Sequence, residues 1–554
     1  NAILIDVFEA SKIAFLFWIL VGVTLKILTL YQKREFNLLS QLRKAATSTY
    51  AIVIYLFILT ILVYSPMLGN YFVGDDFTWL RWASDCRDNC SPLSTILRYF
   101  TDADGFFYRP GTKVYFYLMY HAFWLNQVIY HLVSILLHFS VTALLFILAR
   151  KVLKNDLLAL FSALLFLILS GAVEGVFWIA ATGHLFNALF GIASLILFIV
   201  WEEKKKRYYL LGSFVCVSLS LLFHELGVVF PLLIIAYRFK GQSIGGAKKL
   251  LKDMNYLVLF VPGILYLAMR FMAGSHWFQG DYSYNLIKLP LNFIGNALGY
   301  SALSLVGPMS LSLYEKFRIL TRENILLTLI LVPVVLILTF SIYKLVKEKF
   351  DEQEKKTIIF GLLFFIITLL PFLGLGNITS RYSYLASFGI ILVFVVLVKK
   401  AYGYLLYSGR EIAIGAITIL ALVFVLFHII SAQQTSSEWR EAGNKAKNFF
   451  ISLEGSYTDS WSKDDIQFRF VNVPIRVGNA WVFPVGIEDA VWFAFRNENA
   501  KIYLDSDLNT SVQQAGLSTS NVVLEFNNDG TVTEINRVED PVSGKIKAVR
   551  KIKE

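Results

Sequence analysis

Charge is scarce in this sequence: only 16% of its 554 residues are Asp, Glu, Lys or Arg, against roughly 25% in average soluble domains. With 56% of residues hydrophobic and a mean hydropathy of +0.59, too few polar side chains exist to cover a water-soluble globule of 63.0 kDa. Cysteine is scarcer still. Three residues exclude a disulfide scaffold, and no Cys/His set has zinc spacing. The apolar composition also excludes a disordered or collagen-like chain. An integral membrane protein with many spans is the class that remains.

The formal net charge is +11. Nucleic-acid binding is not expected, because most Lys and Arg sit in short clusters between apolar runs, as positive-inside topology requires. Cys216 lies within an apolar run and reads as packing. Cys86 and Cys90 flank a polar tripeptide, and their spacing is open to either a small disulfide or two thiols. Asp6 and Glu9 precede the first apolar run, unlike the basic start of a signal peptide, so that run is expected to stay as a helix.

A bilayer core needs about 20 apolar residues in a helix. Such runs occur near 12–30, 49–68, 127–149, 157–178, 184–201, 208–224, 226–239, 255–272, 323–343, 357–375, 384–399 and 411–431. The segment 286–310 is apolar but broken by Pro290, Gly295, Gly299 and Pro308, and is expected to be re-entrant or surface-lying. With about a dozen spans counted this way, the basic connections, from Lys33-Arg34 through Lys204 to Arg207 and on to Lys399-Lys400, fall on one side. That side is the cytoplasm. The loop 69–126, the region 273–322 and the tail then face outward. Residues 1–48 form an additional amino-terminal span and loop, and 49–431 form the main membrane domain. Residues 432–554 form a soluble extracytoplasmic α+β domain.

The tail is a different material. From 438 onward, 14 Lys and Arg stand against 17 Asp and Glu, which suits water. Helices are expected near 437–452 and 487–496, with apolar stretches at 466–473 and 480–485. A hairpin is expected at 522–535, because Asp529-Gly530 supplies the positive φ of a tight turn.

The informative residues are the polar ones at membrane level, where burying a charge costs several kcal/mol by order of magnitude. Gly74-Asp75-Asp76-Phe77 follows the second span. Two adjacent carboxylates raise each other's pKa, which suits one of them to act as a general base. Tyr108-Arg109-Pro110 closes the same loop, and Arg grips an anion in a fixed fork. His131, Ser134 and His138 share one face of the next helix. Glu174, His184, His224, Glu225, Arg381 and Tyr382 all fall at outward ends of spans. Independent packing residues would scatter in depth, so this shared level points to one site near the outer bilayer surface. Carboxylates, cations and aromatic walls facing lipid suit a lipid phosphate that carries a headgroup.

At these residues the chain resembles a GT-C glycosyltransferase of the protein O-mannosyltransferase type. It is most similar to the membrane half of tetratricopeptide-containing transmembrane mannosyltransferases and their prokaryotic relatives. The matching pieces run in order over roughly 65–400. They are Asp75-Asp76, Tyr108-Arg109-Pro110, Leu125-Asn126 with Tyr130-His131 and His138, Glu174 with Trp178, His224-Glu225, and Arg381-Tyr382-Ser383-Tyr384-Leu385 with Ser387 and Gly389. The resemblance implies an α-helical polytopic membrane protein of GT-C type with about 12 transmembrane helices. It implies a sugar donor on a polyprenyl or dolichyl monophosphate and an inverting transfer to a protein Ser/Thr or glycan hydroxyl.

Asp75 matches the family's catalytic base, with Asp76 beside it. Arg109, Arg381, Tyr382 and His224 are expected at the donor phosphate. Tyr108, His131, Glu174, His184 and Glu225 are expected to form a supporting polar pocket. Neither metal nor cofactor is expected. The chain departs from its relatives at His184, at Phe223-His224-Glu225 and in its compact tail, which leaves sugar and acceptor open. The rivals are a lipid-diphosphate glycan ligase or polymerase, and a non-enzymatic lipid or polysaccharide transporter. The transporter is disfavoured because no internal repeat is visible and the charges lie near one face rather than at mid-depth.

Overall fold

The computed structural model describes residues 48–85, 91–104, 107–239, 253–275, 283–324, 346–407, 411–456, 461, 465–483, 485–518, 520–539 and 546–550, with isolated positions between 326 and 344. The expected span at 12–30, most of that at 323–343, and the pair Cys86 and Cys90 lie outside the described residues.

Among the described residues, eight helices are long and apolar enough to cross a membrane. They include Thr49–Gly69, Gln127–Leu153, Ile179–Lys204, Met254–Met272, Glu352–Leu373 and Ser380–Leu405. Two shorter apolar helices, Asp156–Ile168 and Arg207–Phe223, pack among them. The chain is a multi-pass membrane protein with a carboxy-terminal α+β region.

Three expectations change. The run 157–178 is not one helix. It stops at Ile168, passes through a 3-10 turn at Ser170–Ala172, and restarts as the short helix Glu174–Phe177. The cause is close backbone contact. A Cβ on Gly171 would lie 2.0 Å from the Leu303 carbonyl oxygen, while the Gly171 carbonyl accepts from both Ser380 and Ser383 Oγ at 2.7 Å. This break turns Glu174 toward Arg381. Conversely, 286–310 contains an unbroken helix, Leu289–Val306, which meets the length and hydropathy of a span. Pro290 sits in its first turn, where no N–H partner is needed, and Pro308 lies beyond its end. Gly295 and Gly299 face Tyr314. The same helix supports the site. Asn292 and Asn296 donate to the carbonyls of Gly374, Leu373 and Leu375 at 2.9–3.2 Å, which the end of Glu352–Leu373 leaves without helical partners.

The last helix, Glu411–Glu454, runs 44 residues without interruption. No proline occurs in it, so the expected span at 411–431 and the helix expected near 437–452 are one element, and it passes through position 432. Beyond it lie strands β1 (Gln467–Val471), β2 (Arg476–Val477), β3 (Ala480–Trp481), β4 (Lys501–Asp505), β5 (Asn521–Phe526), β6 (Val532–Glu539) and β7 (Ile546–Arg550). The five-stranded sheet has the order β4-β1-β5-β6-β7, parallel across β4, β1 and β5 and antiparallel beyond. The β5–β6 hairpin and the helix Ile487–Phe495 stand where expected. Strands β2 and β3 form a separate small hairpin. Phe449 of the long helix stacks on Phe526 at 5.3 Å and contacts Phe470 and Phe483, so sheet and helix share one core.

Candidate active site

A cavity of about 260 Å³ lies between the helix Asp75–Ser84, the junctions around His184 and Glu225, the helix Val261–Met272 and the segment 371–382. Asp75, Arg109, His184, His224, Glu225, Arg381 and Tyr382 line it. Seven of the eleven expected site residues, scattered over three hundred positions, thus meet in one place. Because Asp75 and Arg381 share the cavity, they share one membrane level however the helices between them are counted.

Asp75 opens its helix at the first turn, where the helix dipole favours negative charge. Its Oδ1 atom is buried and has no hydrogen-bond partner in the protein. Burial pushes its carboxyl up to about 6, the nearby Asp489 pushes the same way, and Arg381 and Arg109 oppose both. Asp76 plays a different part. It is buried behind the helix and does not line the cavity. Its two oxygens accept from the backbone N–H groups of Val73 at 2.9 Å and Ala180 at 2.6 Å. Burial raises its carboxyl to about 8 against those two donors. Asp76 therefore ties the Asp75 helix to the segment that follows Trp178.

Arg109 caps the helix Pro110–Phe123 and forks onto Glu225, Nε to Oε2 at 2.8 Å and Nη2 to Oε1 at 2.7 Å. His224 Nδ1 accepts from the Leu226 N–H at 3.1 Å, which aims its ring across the cavity to lie 4.0 Å from His184. Arg381 is held three ways. Its Nη1 and its backbone N–H donate to the two oxygens of Glu174 at 2.9 and 3.1 Å, and its guanidinium lies 5.0 Å over Trp178. Tyr382 stacks flat on Phe372 at 3.8 Å.

Three of the expected supports stand behind the wall. Glu174 reaches Arg381 from outside the cavity and faces a smaller one of about 30 Å³. Tyr108 is buried, with its hydroxyl donating to the Phe100 carbonyl and its own carbonyl accepting from Tyr266. His131 is buried against the Asn70 carbonyl at 3.1 Å. The structure adds Arg270 and Tyr266, one turn apart on Val261–Met272, and Tyr284, whose hydroxyl donates to the Pro371 carbonyl. Arg270 left a signal in the sequence, as a cation near the end of an apolar run. Tyr284 left none. Among the described residues, no group of three or more His, Cys, Asp or Glu side chains is arranged to hold a metal ion.

The cavity's far wall is apolar, with Leu267, Pro371 and Leu375. Beyond it, Ile264, Leu265 and Phe271 are exposed on the outer face of their helix, as lipid contact requires. The arrangement is a buried carboxylate sharing one cavity with arginines that other carboxylates hold in place, beside an apolar wall.

No family model matches the chain. Over 347 residues it is 25% identical to a protein O-mannosyl-transferase of Caenorhabditis elegans. The resemblance is to the protein O-mannosyltransferases. The match covers 60% of this chain and 47% of the worm protein, so the chain spans about half the length of the curated relative it matches. Among solved structures, ArnT from Cupriavidus metallidurans bound to undecaprenyl phosphate aligns with a TM-score of 0.43 and 9% identity, over 86% of this chain and 93% of that one. The apo form of ArnT aligns with a TM-score of 0.41 and 10% identity over the same shares.

Proposed function

We propose that this protein is a membrane glycosyltransferase. It moves a sugar from a polyprenyl or dolichyl monophosphate to an acceptor hydroxyl, on a protein Ser/Thr or a glycan, at the extracytoplasmic face. The observation that carries the reading is Asp75 Oδ1, a buried acceptor without a protein partner in the same cavity as Arg109 and Arg381. A buried acceptor left unpaired costs about 1–3 kcal/mol, which a substrate O–H relieves.

In this reading the acceptor hydroxyl donates to Asp75. Its oxygen attacks the anomeric carbon and its proton passes to the carboxylate. The bond from that carbon to the phosphate oxygen breaks on the opposite face, so the configuration inverts, and the lipid phosphate leaves with the electron pair. Arg109, Arg381 and Arg270 stabilise the charge that gathers on the phosphate, with His224 and Tyr382 beside them. Glu225 and Glu174 keep two of the guanidiniums in place before the donor arrives. A guanidinium has five donors, so it can hold a carboxylate and a phosphate at once. Phosphate is already a good leaving group, and the reading routes no step through a metal or cofactor. The prenyl chain lies along Leu267, Pro371 and Leu375 toward the lipid.

The test is transfer by the purified full chain in nanodiscs, supplied in parallel with polyprenyl-monophosphate hexose and with a lipid-diphosphate glycan. Transfer from the monophosphate alone, lost in Asp75→Asn, supports the reading. Transfer from the diphosphate alone, or undiminished turnover by Asp75→Asn, overturns it.

A further inference from the structure

The soluble domain grips the cavity at two places. The first is the start of the helix Ile487–Phe495. Gly486, at φ +84°, lies so close that a Cβ on it would sit 2.4 Å from the Gly74 carbonyl oxygen. Three residues on, Asp489 accepts from Thr78 Oγ1 at 2.5 Å and from Arg81 Nη1 at 3.0 Å. Thr78 and Arg81 are one turn apart on the helix that begins with Asp75. Arg81 continues to Glu498 at 2.9 Å and lies 4.9 Å from the Trp492 ring.

The second grip is the β2–β3 hairpin. Glu438 of the long helix fixes its turn, accepting from Asn479 N at 2.8 Å and Nδ2 at 3.0 Å. Trp481 then donates through Nε1 to Glu174 Oε1 at 3.1 Å, on the oxygen that also receives Arg381. The Arg476 guanidinium lies 3.3 Å over the Trp481 ring.

We propose that the carboxy-terminal domain is a positioning part of the transfer site. Asp489 orients the helix that carries the base, and Trp481 braces the Glu174 carboxylate that holds Arg381. The proposal deepens the glycosyl-transfer reading and rests on it for its kinetic consequences. Asp75 Oδ1 has no protein partner to hold it, so the placement of the helix that carries Asp75 decides where its carboxylate sits in the cavity. Asp489 bridges two residues of that helix, so together with the Asp76 ties to Val73 and Ala180 it holds the helix's rotation. Arg381 depends on Glu174, and an N–H donor on Glu174 keeps that carboxylate from turning.

The groups facing Asp75 are Asp76 on its own helix, and Arg109, Glu225, Arg381, His184, His224 and Arg270 around the cavity. Asp489 faces it from the carboxy-terminal region, paired there with Arg81 of Asp75's own helix. Asp489→Asn keeps an acceptor for Thr78 but deletes a negative charge that raises the Asp75 carboxyl.

The experiment uses the full chain in nanodiscs. Asp75 is titrated by carbodiimide labelling against pH, read by peptide mass spectrometry, and the Arg381 amide, which donates to Glu174 Oε2 at 3.1 Å, is followed by hydrogen exchange. Asp489→Asn is expected to move the labelling midpoint to lower pH, and the acid limb of kcat/KM with it. Trp481→Phe is expected to leave the midpoint in place, speed exchange at Arg381, and raise KM for a polyprenyl-monophosphate hexose roughly tenfold, the value of one hydrogen bond to a charged group. An unmoved midpoint in Asp489→Asn overturns the first arm, and unchanged exchange in Trp481→Phe overturns the second. Wild-type protein that transfers no sugar overturns the functional reading, while labelling and exchange still decide the positioning.

Discussion

The acidity of Asp75 gives a numerical expectation. The carboxylate is the working form of a general base. With its carboxyl pushed up to about 6, roughly a tenth is ionised at pH 5 and roughly nine-tenths at pH 7. The transfer rate constant kcat/KM is therefore expected to fall about tenfold from pH 7 to pH 5. A carboxyl at the ordinary 3.8 would lose only about a twentieth over the same interval.

Stability runs the other way. A carboxyl raised by folding holds its proton better in the folded state. Its contribution is present below the ordinary value and is lost as pH rises through about 6. Wild-type protein thus gains activity and loses some stability across one window, and Asp75→Asn removes both dependences. The substitution keeps the shape and an acceptor oxygen but not the base, so a loss of about 10²- to 10⁴-fold in kcat is expected. Initial rates of sugar transfer in nanodiscs, with thermal unfolding followed in the same buffers, measure both. An acid limb near 4, or a stability profile indifferent to Asp75→Asn, refutes the argument.

Arg109→Lys keeps the charge but loses the two-pronged contact with Glu225, so kcat/KM for the donor is expected to fall roughly tenfold or more with expression unchanged. Transfer is expected to persist after exhaustive treatment with EDTA, and a dependence restored by one divalent cation would contradict the proposed route. Gly171→Ala forces a methyl to 2.0 Å from the Leu303 carbonyl oxygen. It is expected to destabilise the protein by about 1–3 kcal/mol, visible as a lower unfolding midpoint in detergent. Cysteines placed on the exposed positions Leu504 and Leu517 of the carboxy-terminal α+β region are expected to react with a membrane-impermeant maleimide in intact cells. Reaction only after lysis would place that domain on the other face.

The apolar runs were legible because membrane spans are written in composition. The cavity was legible because charges at a common membrane depth have few reasons to be there. Asp75, Arg109, His224 and Arg381 all carried that signal. Asp76 was placed with Asp75 because adjacent carboxylates look alike in sequence. Whether a side chain turns to the cavity or to the backbone of Val73 and Ala180 is decided by helix rotation, which an adjacent pair does not encode. The continuity of the helix Leu289–Val306 is not legible in the sequence, because proline and glycine read as breaks unless their positions, at the first turn and on a packing face, are known. The contributions of Trp481 and Asp489 were invisible. They lie some three hundred to four hundred positions from Glu174 and Thr78, in a domain whose own composition says only that it is soluble.

The unbroken helix Glu411–Glu454 spans 44 residues. At about 1.5 Å per residue that is roughly 66 Å, about twice the thickness of the hydrocarbon core. It acts as a mast whose screw sense fixes the azimuth of everything mounted on it. Splicing one extra residue into its upper half would swing the mounted β2–β3 hairpin by about 100° and carry Trp481 away from its carboxylate. Splicing in seven would restore the bearing but lift the hairpin about 10 Å too high. The length of this one rod is therefore set by the socket it points into.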